Sequence, residues 1–249
     1  MAYNALPDDR LVLADGGLET VLIFDEGLEL PEFAAFPLID DVQGRETLGS
    51  YYAGFLDVAR DHGAAFLLST PTWRASAYWC ARIGYDAAAL EAVNRSAVEF
   101  LHGFRGMSQG PDPILVEGVI GPREDAYAPS STMTADESQR YHAAQVEAFA
   151  DSGVDQVTAM TLSYAGEASG LVRAATAADV PMVISFTVET DGRLPSGQTL
   201  ADAISEVDAQ TDSAAAYFMV NCAHPTHFDG VLNSQVVRDR VWGVRANAS

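Results

Sequence analysis

The stretch Ala148-Phe149-Ala150-Asp151-Ser152-Gly153-Val154-Asp155-Gln156-Val157-Thr158-Ala159-Met160 contains the pattern that decides the fold. A helical stretch, Ala135–Ser152, stops at Asp-Ser-Gly with Gly153 in a C-cap position, and a strand-sized run, Gln156–Met160, follows at once. Upstream, Thr134 and Glu137 form a capping box for that helix. Downstream, a helix over Ala165–Ala178 leads to a strand over Met182–Thr187. The same punctuation occurs earlier, where Asp61-His62-Gly63 precedes a strand over Ala65–Ser69. Further strands are expected at Leu11–Ala14, Ile114–Val119, Tyr217–Asn221 and Val241–Arg245, and further helices at Leu48–Asp61, Ala87–Gly103 and Leu200–Gln210. Strand alternating with helix throughout implies a parallel sheet. About seven βα steps are visible where a closed barrel needs eight. The turn Asp15-Gly16-Gly17 is too short for a dinucleotide fingerprint. The expectation is an α/β fold, a (β/α)8 TIM-type barrel with its last strand missing, in one domain over residues 1–249.

Bulk properties narrow the chemistry. The chain has 249 residues, 48% of them hydrophobic, enough for a large buried core. Its longest apolar runs, such as Pro181 to Phe186, are far short of a membrane span. Met1 to Arg10 carries three charges and no apolar h-region, so a cytoplasmic enzyme is expected. A net charge of −21 repels phosphate backbones and disfavours nucleic-acid partners. All 14 basic residues are Arg, which excludes a Schiff-base or P-loop lysine. Two cysteines suit a reducing compartment, with Cys80 read as a packing residue.

In a barrel the catalytic groups lie at the C-terminal ends of the strands. The first strand ends in Asp15-Gly16-Gly17-Leu18-Glu19-Thr20, where the glycines let backbone N–H groups approach a ligand carboxylate and Asp15 can accept from an ammonium group. The second ends in Ser69-Thr70-Pro71-Thr72-Trp73, and the third in Glu117-Gly118-Val119-Ile120-Gly121-Pro122. Glu117 reads equally as an inward acid or as a structural carboxylate. The sixth ends in Val220-Asn221-Cys222-Ala223-His224-Pro225, where a cysteine thiolate can ligate zinc.

Taken in order, Asp15 to Thr20, Leu67 to Thr72, Glu117 to Pro122 and Val220-Asn221-Cys222 with Pro225 resemble the signatures of the homocysteine S-methyltransferase family. The resemblance implies a barrel that binds zinc through three cysteines, Cys222 being the first. It also implies a thiol or selenol acceptor as fourth ligand and an activated methyl donor such as a sulfonium, a betaine or a methylated folate. On this reading Asp15, Gly16, Gly17, Glu19, Thr70, Glu117 and Asn221 bind substrate. The family's adjacent cysteine pair is expected beyond Ser249. Met160 stands where the family places a Glu, and a thioether cannot pair with an ammonium ion. Asp15, Glu19 or Glu117 is then expected to compensate, or the acceptor is another small thiol or selenol. With Cys222 the one cysteine at a strand end, an open mouth is expected around it, with Asn221 and His224 accessible to solvent.

Other residues have plainer readings. Cys222-x-His224-x-x-His227 could chelate a metal, but the spacing matches no common zinc signature and loop roles are expected. Trp73, Tyr78 and Trp79 could line a pocket for a sulfonium methyl group, with packing as the competing role. His142 and Gln145 read as packing and surface groups, and Glu189 to Gln198 as a long polar loop that could cover the donor site. Two other functions stay open: a metal-dependent barrel lyase or hydrolase, and a non-catalytic ligand-binding relative. Partners are the small thiol and the methyl donor, with no membrane and a possible homo-oligomer.

Overall fold

The computed structural model describes residues 6–7, 9–106 and 110–247, so the reading of Met1–Arg10 falls largely outside it. The described residues form two compact units, one from Asn4–Ile120 with Ala148–Gln156, the other from Gly121–Glu147 with Val157–Ser249.

The first unit holds β1 (Val12–Ala14), α1 (Leu18–Thr20), α2 (Val42–Asp61), β2 (Ala65–Ser69), α3 (Ala77–Arg82), α4 (Ala87–His102) and β3 (Ile114–Ile120). β1 pairs with β2 and β2 with β3, both in parallel. The register sets Ser69 directly beside Glu117. β2 is buried along its whole length, as a strand covered on both faces must be. The sequence runs apolar there without alternation for that reason. α2 begins at Val42 rather than Leu48 because Asp41 caps it, accepting from the Gly44 N–H at 2.8 Å. Asp86 caps α4 in the same way through the Ala89 N–H. The Tyr52 hydroxyl of α2 donates to the Ser69 carbonyl at 2.6 Å, fixing the helix behind the functional end of β2. Gly118 on β3 leaves room for Phe149, whose ring would lie 2.5 Å from an added Cβ.

The second unit holds α5 (Ala135–Asp151) as far as Glu147 and β4 (Gln156–Leu162) from Val157, then α6 (Ala165–Ala177), β5 (Met182–Phe186), α7 (Leu200–Thr211), β6 (Tyr217–Asn221), α8 (Pro225–Phe228), α9 (Gln235–Arg240) and β7 (Val241–Arg245). The Thr134–Glu137 capping box forms as read: Glu137 Oε2 accepts from the Thr134 N–H at 2.8 Å, and Thr134 Oγ1 from the Glu137 N–H at 3.3 Å. β4, β5, β6 and β7 pair in parallel, each with the next in sequence. β4, β5 and β6 are buried throughout, while Trp242 and Val244 of β7 are each 53% exposed.

All seven expected strands are present, and each of these pairings joins strands that are consecutive in sequence. The fold is α/β of TIM-barrel type, with seven strands among the described residues where a closed barrel has eight. No helix among them is long and apolar enough to cross a membrane.

Candidate active site

In the first unit the strand ends converge on Ser69. Asp15 Oδ1 accepts from the Ser69 N–H at 3.1 Å and from its hydroxyl at 2.7 Å. The same hydroxyl lies 2.8 Å from Glu117 Oε1, and Gln156 Nε2 donates to Glu117 Oε2 at 3.0 Å. All four residues are buried. Ser69 has one hydroxyl proton and serves only one of the two carboxyl groups at a time, so the pocket is rich in acceptors. The Tyr51 hydroxyl reaches the Gly16 carbonyl at 2.9 Å and Asp15 Oδ2 at 3.3 Å. Gly17 has φ +69, which turns the chain sharply into α1, and a Cβ on Gly16 would meet nothing within 4 Å.

Thr70 sits beside this group with its hydroxyl engaged by the protein. Thr70 Oγ1 accepts from the Val119 N–H at 2.8 Å and lies 2.6 Å from Thr72 Oγ1, which itself donates to the Val119 carbonyl. Glu19 begins α1 close to Asp15. Burial pushes its carboxyl up to about 7; its own backbone hydrogen bond opposes the rise, the Asp15 charge adds to it, and Arg74 opposes it. The Arg74 guanidinium is stacked on Trp79, 3.4 Å from its ring centre, and 4.6 Å from that of Trp73. At both tryptophans a cation of the chain itself thus takes the ring face that could have met a sulfonium, in keeping with the packing role.

In the second unit Asn221 is the organising residue. Its Oδ1 accepts from the Thr161 N–H at 2.9 Å and from the Ser185 hydroxyl at 2.7 Å. Its Nδ2 donates to Thr161 Oγ1 at 2.8 Å and to Cys222 Sγ at 3.2 Å. Thr161 Oγ1 also lies 3.9 Å from that sulfur. Thr161 and Cys222 both have left-handed backbones, with φ 63 and φ 54. L-residues adopt that conformation at a cost of about 1 kcal/mol or more, a β-branched one least readily. Asn221 and the strand register hold both in place. The expected accessibility of Asn221 is corrected: it is buried, because all its amide atoms face β4, β5 and Cys222. Cys222 itself is half-buried. Met160, next to Thr161, is buried.

Several residues that sequence reasoning passed over take part. The Tyr127 hydroxyl has its pKa raised, first by burial and then by the charge of Cys222, with the Thr187 side chain opposing the rise. His142, read as a packing or surface group, is buried and bonded to Glu167 Oε1 at 3.0 Å. That glutamate also accepts from the Arg123 N–H at 2.7 Å. No local pattern marks these contacts, since each joins residues more than 20 positions apart. Cys80 is the packing residue expected, its thiol pushed up to about 12 by burial.

Zinc was expected through Cys222. Among the described residues no group of three or more His, Cys, Asp and Glu is placed to hold a metal ion. The His224 ring pairs with Thr226 at 2.8 Å. These residues alone do not fit a zinc site.

A sequence profile described as Homocysteine S-methyltransferase matches residues 12–249. None of the curated proteins compared with the chain matches it by sequence. Among solved structures, the homocysteine methyltransferase MmuM from Escherichia coli is similar in three forms. The metallated form has a TM-score of 0.72 at 19% identity, covering 97% of this chain and 93% of that one. The oxidized form has 0.72 at 20% identity with the same coverage. The apo form has 0.65 at 19% identity, covering 97% and 92%. At such identities the likeness concerns the fold, whereas the profile spans every strand and both buried polar groups. The chain therefore belongs to the homocysteine S-methyltransferase family, a family of methyltransferase enzymes.

Proposed function

We propose that the chain moves a methyl group from an activated donor to the sulfur of homocysteine, or of a related small thiol or selenol. The bond from the donor to its methyl carbon breaks with its electron pair left on the donor, an S–CH3 bond forms from a sulfur lone pair, and the acceptor thiol gives its proton to solvent. The observation that carries this reading is Cys222 at the end of β6, its sulfur approached by the Asn221 amide and the Thr161 hydroxyl. A sulfur held in a fixed direction by two donors suits sulfur or soft-metal chemistry better than oxygen-ligand chemistry. Zinc belongs to the proposal as a metal to which Cys222 offers one thiolate.

Substrate recognition is assigned to the Ser69-centred group. Asp15 and Glu117 supply acceptors for an ammonium ion, and the Gly16–Gly17 turn, with open space where side chains would stand, leaves room for a carboxylate. Thr70 braces β2 against β3 and acts through that geometry. The test uses S-methylmethionine and S-adenosylmethionine as donors, with homocysteine, selenohomocysteine and cysteine as acceptors, and methylated product read by mass spectrometry. Methyl transfer to at least one acceptor is expected, with loss in Cys222→Ala. Wild-type rates in Cys222→Ala would sink the reading.

A further inference from the structure

We propose that Tyr51 is a positioning residue for substrate recognition, aiming the Asp15 carboxylate and the Gly16 turn at the ammonium group of an amino-acid ligand. The inference rests on the reading of Asp15 as the acceptor for that ammonium, and assigns a role to α2.

α2 sends two adjacent tyrosyl hydroxyls to the ends of two strands. Tyr52 is buried and donates to the Ser69 carbonyl at the end of β2. Tyr51 reaches the segment after β1, where its hydroxyl lies 2.9 Å from the Gly16 carbonyl and 3.3 Å from Asp15 Oδ2. Neighbours on a helix point about 100° apart, which is why the two side chains serve different strands. The Tyr51 ring meets Tyr52 edge-on at 5.1 Å and lies tilted against Phe55, one turn further along, also at 5.1 Å. Packing thus sets the direction of the phenol before any ligand arrives.

The two oxygens of Asp15 are used differently. Oδ1 accepts from both the N–H and the hydroxyl of Ser69, which fills both of its lone-pair directions. An ammonium ion is therefore met by Oδ2, the oxygen that Tyr51 reaches. The tyrosyl hydroxyl has one proton to share between Oδ2 and the Gly16 carbonyl, so a single oxygen ties the carboxylate to the turn. Asp15 is 4% exposed, and in such a place a hydrogen bond to a carboxylate is stronger than it would be in water. Tyr51 itself is half-buried, and its ring borders a cleft of about 330 Å3 shared with Leu22 and Thr47. Removing the hydroxyl opens no core cavity. It takes away the contact that sets the direction of Oδ2, while Oδ1 keeps its bonds to Ser69.

The test is calorimetric titration of wild type and Tyr51→Phe with two ligands at neutral pH. L-Methionine carries the ammonium and carboxylate of homocysteine without a thiol. 4-(Methylthio)butanoate is methionine without its amino group. Tyr51→Phe should weaken methionine binding about tenfold and leave 4-(methylthio)butanoate within about twofold of wild type, because the lost hydroxyl acts through the acceptor for the ammonium. Equal methionine affinities in the two proteins would overturn the proposal. Equal weakening of both ligands would also overturn it, since a residue that merely supports the fold moves them together. A wild type that binds no methionine would remove the recognition role of Asp15 and this inference with it, whereas unchanged methionine binding in Tyr51→Phe removes the inference alone. No methyl donor is involved, so the result is independent of turnover.

Discussion

Replacing Asn221 by Ala probes the centre of the second polar group. The side chain is buried and makes four contacts: with the Thr161 amide, the Thr161 hydroxyl, the Ser185 hydroxyl and the Cys222 sulfur. Alanine leaves the Thr161 N–H without its acceptor at a backbone whose φ of 63 is unfavourable for a β-branched residue. The Ser185 hydroxyl can rotate towards another acceptor; the amide cannot. Each stranded buried polar group costs about 1–3 kcal/mol, and one or two of them together with the small cavity give a loss of about 2–5 kcal/mol. For a chain of this length that lowers the melting temperature by about 5–15 °C. Urea unfolding followed by circular dichroism measures it, with an unchanged slope showing that the loss lies in stability. Ser185→Ala removes only one donor to the same oxygen and should lose about 1 kcal/mol. A loss below about 1 kcal/mol in Asn221→Ala would refute the reasoning, for Thr161 would then keep its conformation without the clamp.

Glu19→Gln tests the half-buried carboxyl of α1 in the first unit. Because its pKa is raised to about 7 in the folded state, the folded chain retains a proton that the unfolded chain releases above about 4.5. Wild-type stability from this group is therefore full below 4.5 and is lost as the pH rises through 7. Allowing for its partial exposure, the Gln variant should exceed wild type by about 1–2 kcal/mol at pH 8 and match it near pH 4. Equal urea midpoints of the two proteins at pH 8 would contradict this. Gly118→Ala places a Cβ 2.5 Å from the Phe149 ring, and the overpacking should cost about 1–3 kcal/mol and disturb the adjacent Glu117, read as a lower melting temperature together with slower turnover. Met160→Glu returns a carboxylate to the end of β4. Homocysteine should be a weak acceptor for the wild type and a better one for this variant, measured as a fall in KM; an efficient wild type with no gain in the variant would count against the assignment.

The strands could be read from sequence because parallel strands covered on both faces run apolar without interruption, and Gly63 and Gly153 mark where the preceding helices stop. The helix boundaries were less visible where a tertiary contact extends them, as at Val42, where Gly44 packs against the Leu38 backbone. Asp15 and Cys222 are visible in the sequence as the residues just past β1 and β6, and Glu117 as a carboxylate inside an apolar strand. What those residues touch was not accessible from sequence. Ser69 bridges two carboxyl groups only because the register sets it beside Glu117, and Asn221 reaches Thr161 across 60 positions of sequence. The left-handed backbones of Thr161 and Cys222 carry no sequence signal, since non-glycine residues take that conformation only when surrounding bonds impose it. Arg74 carries no local signal for its place on the ring faces of Trp73 and Trp79. Local periodicity and turn chemistry thus determined the order and type of the elements. Pairing register, loop anchoring and burial, which join residues far apart in the chain, decided which side chains act together.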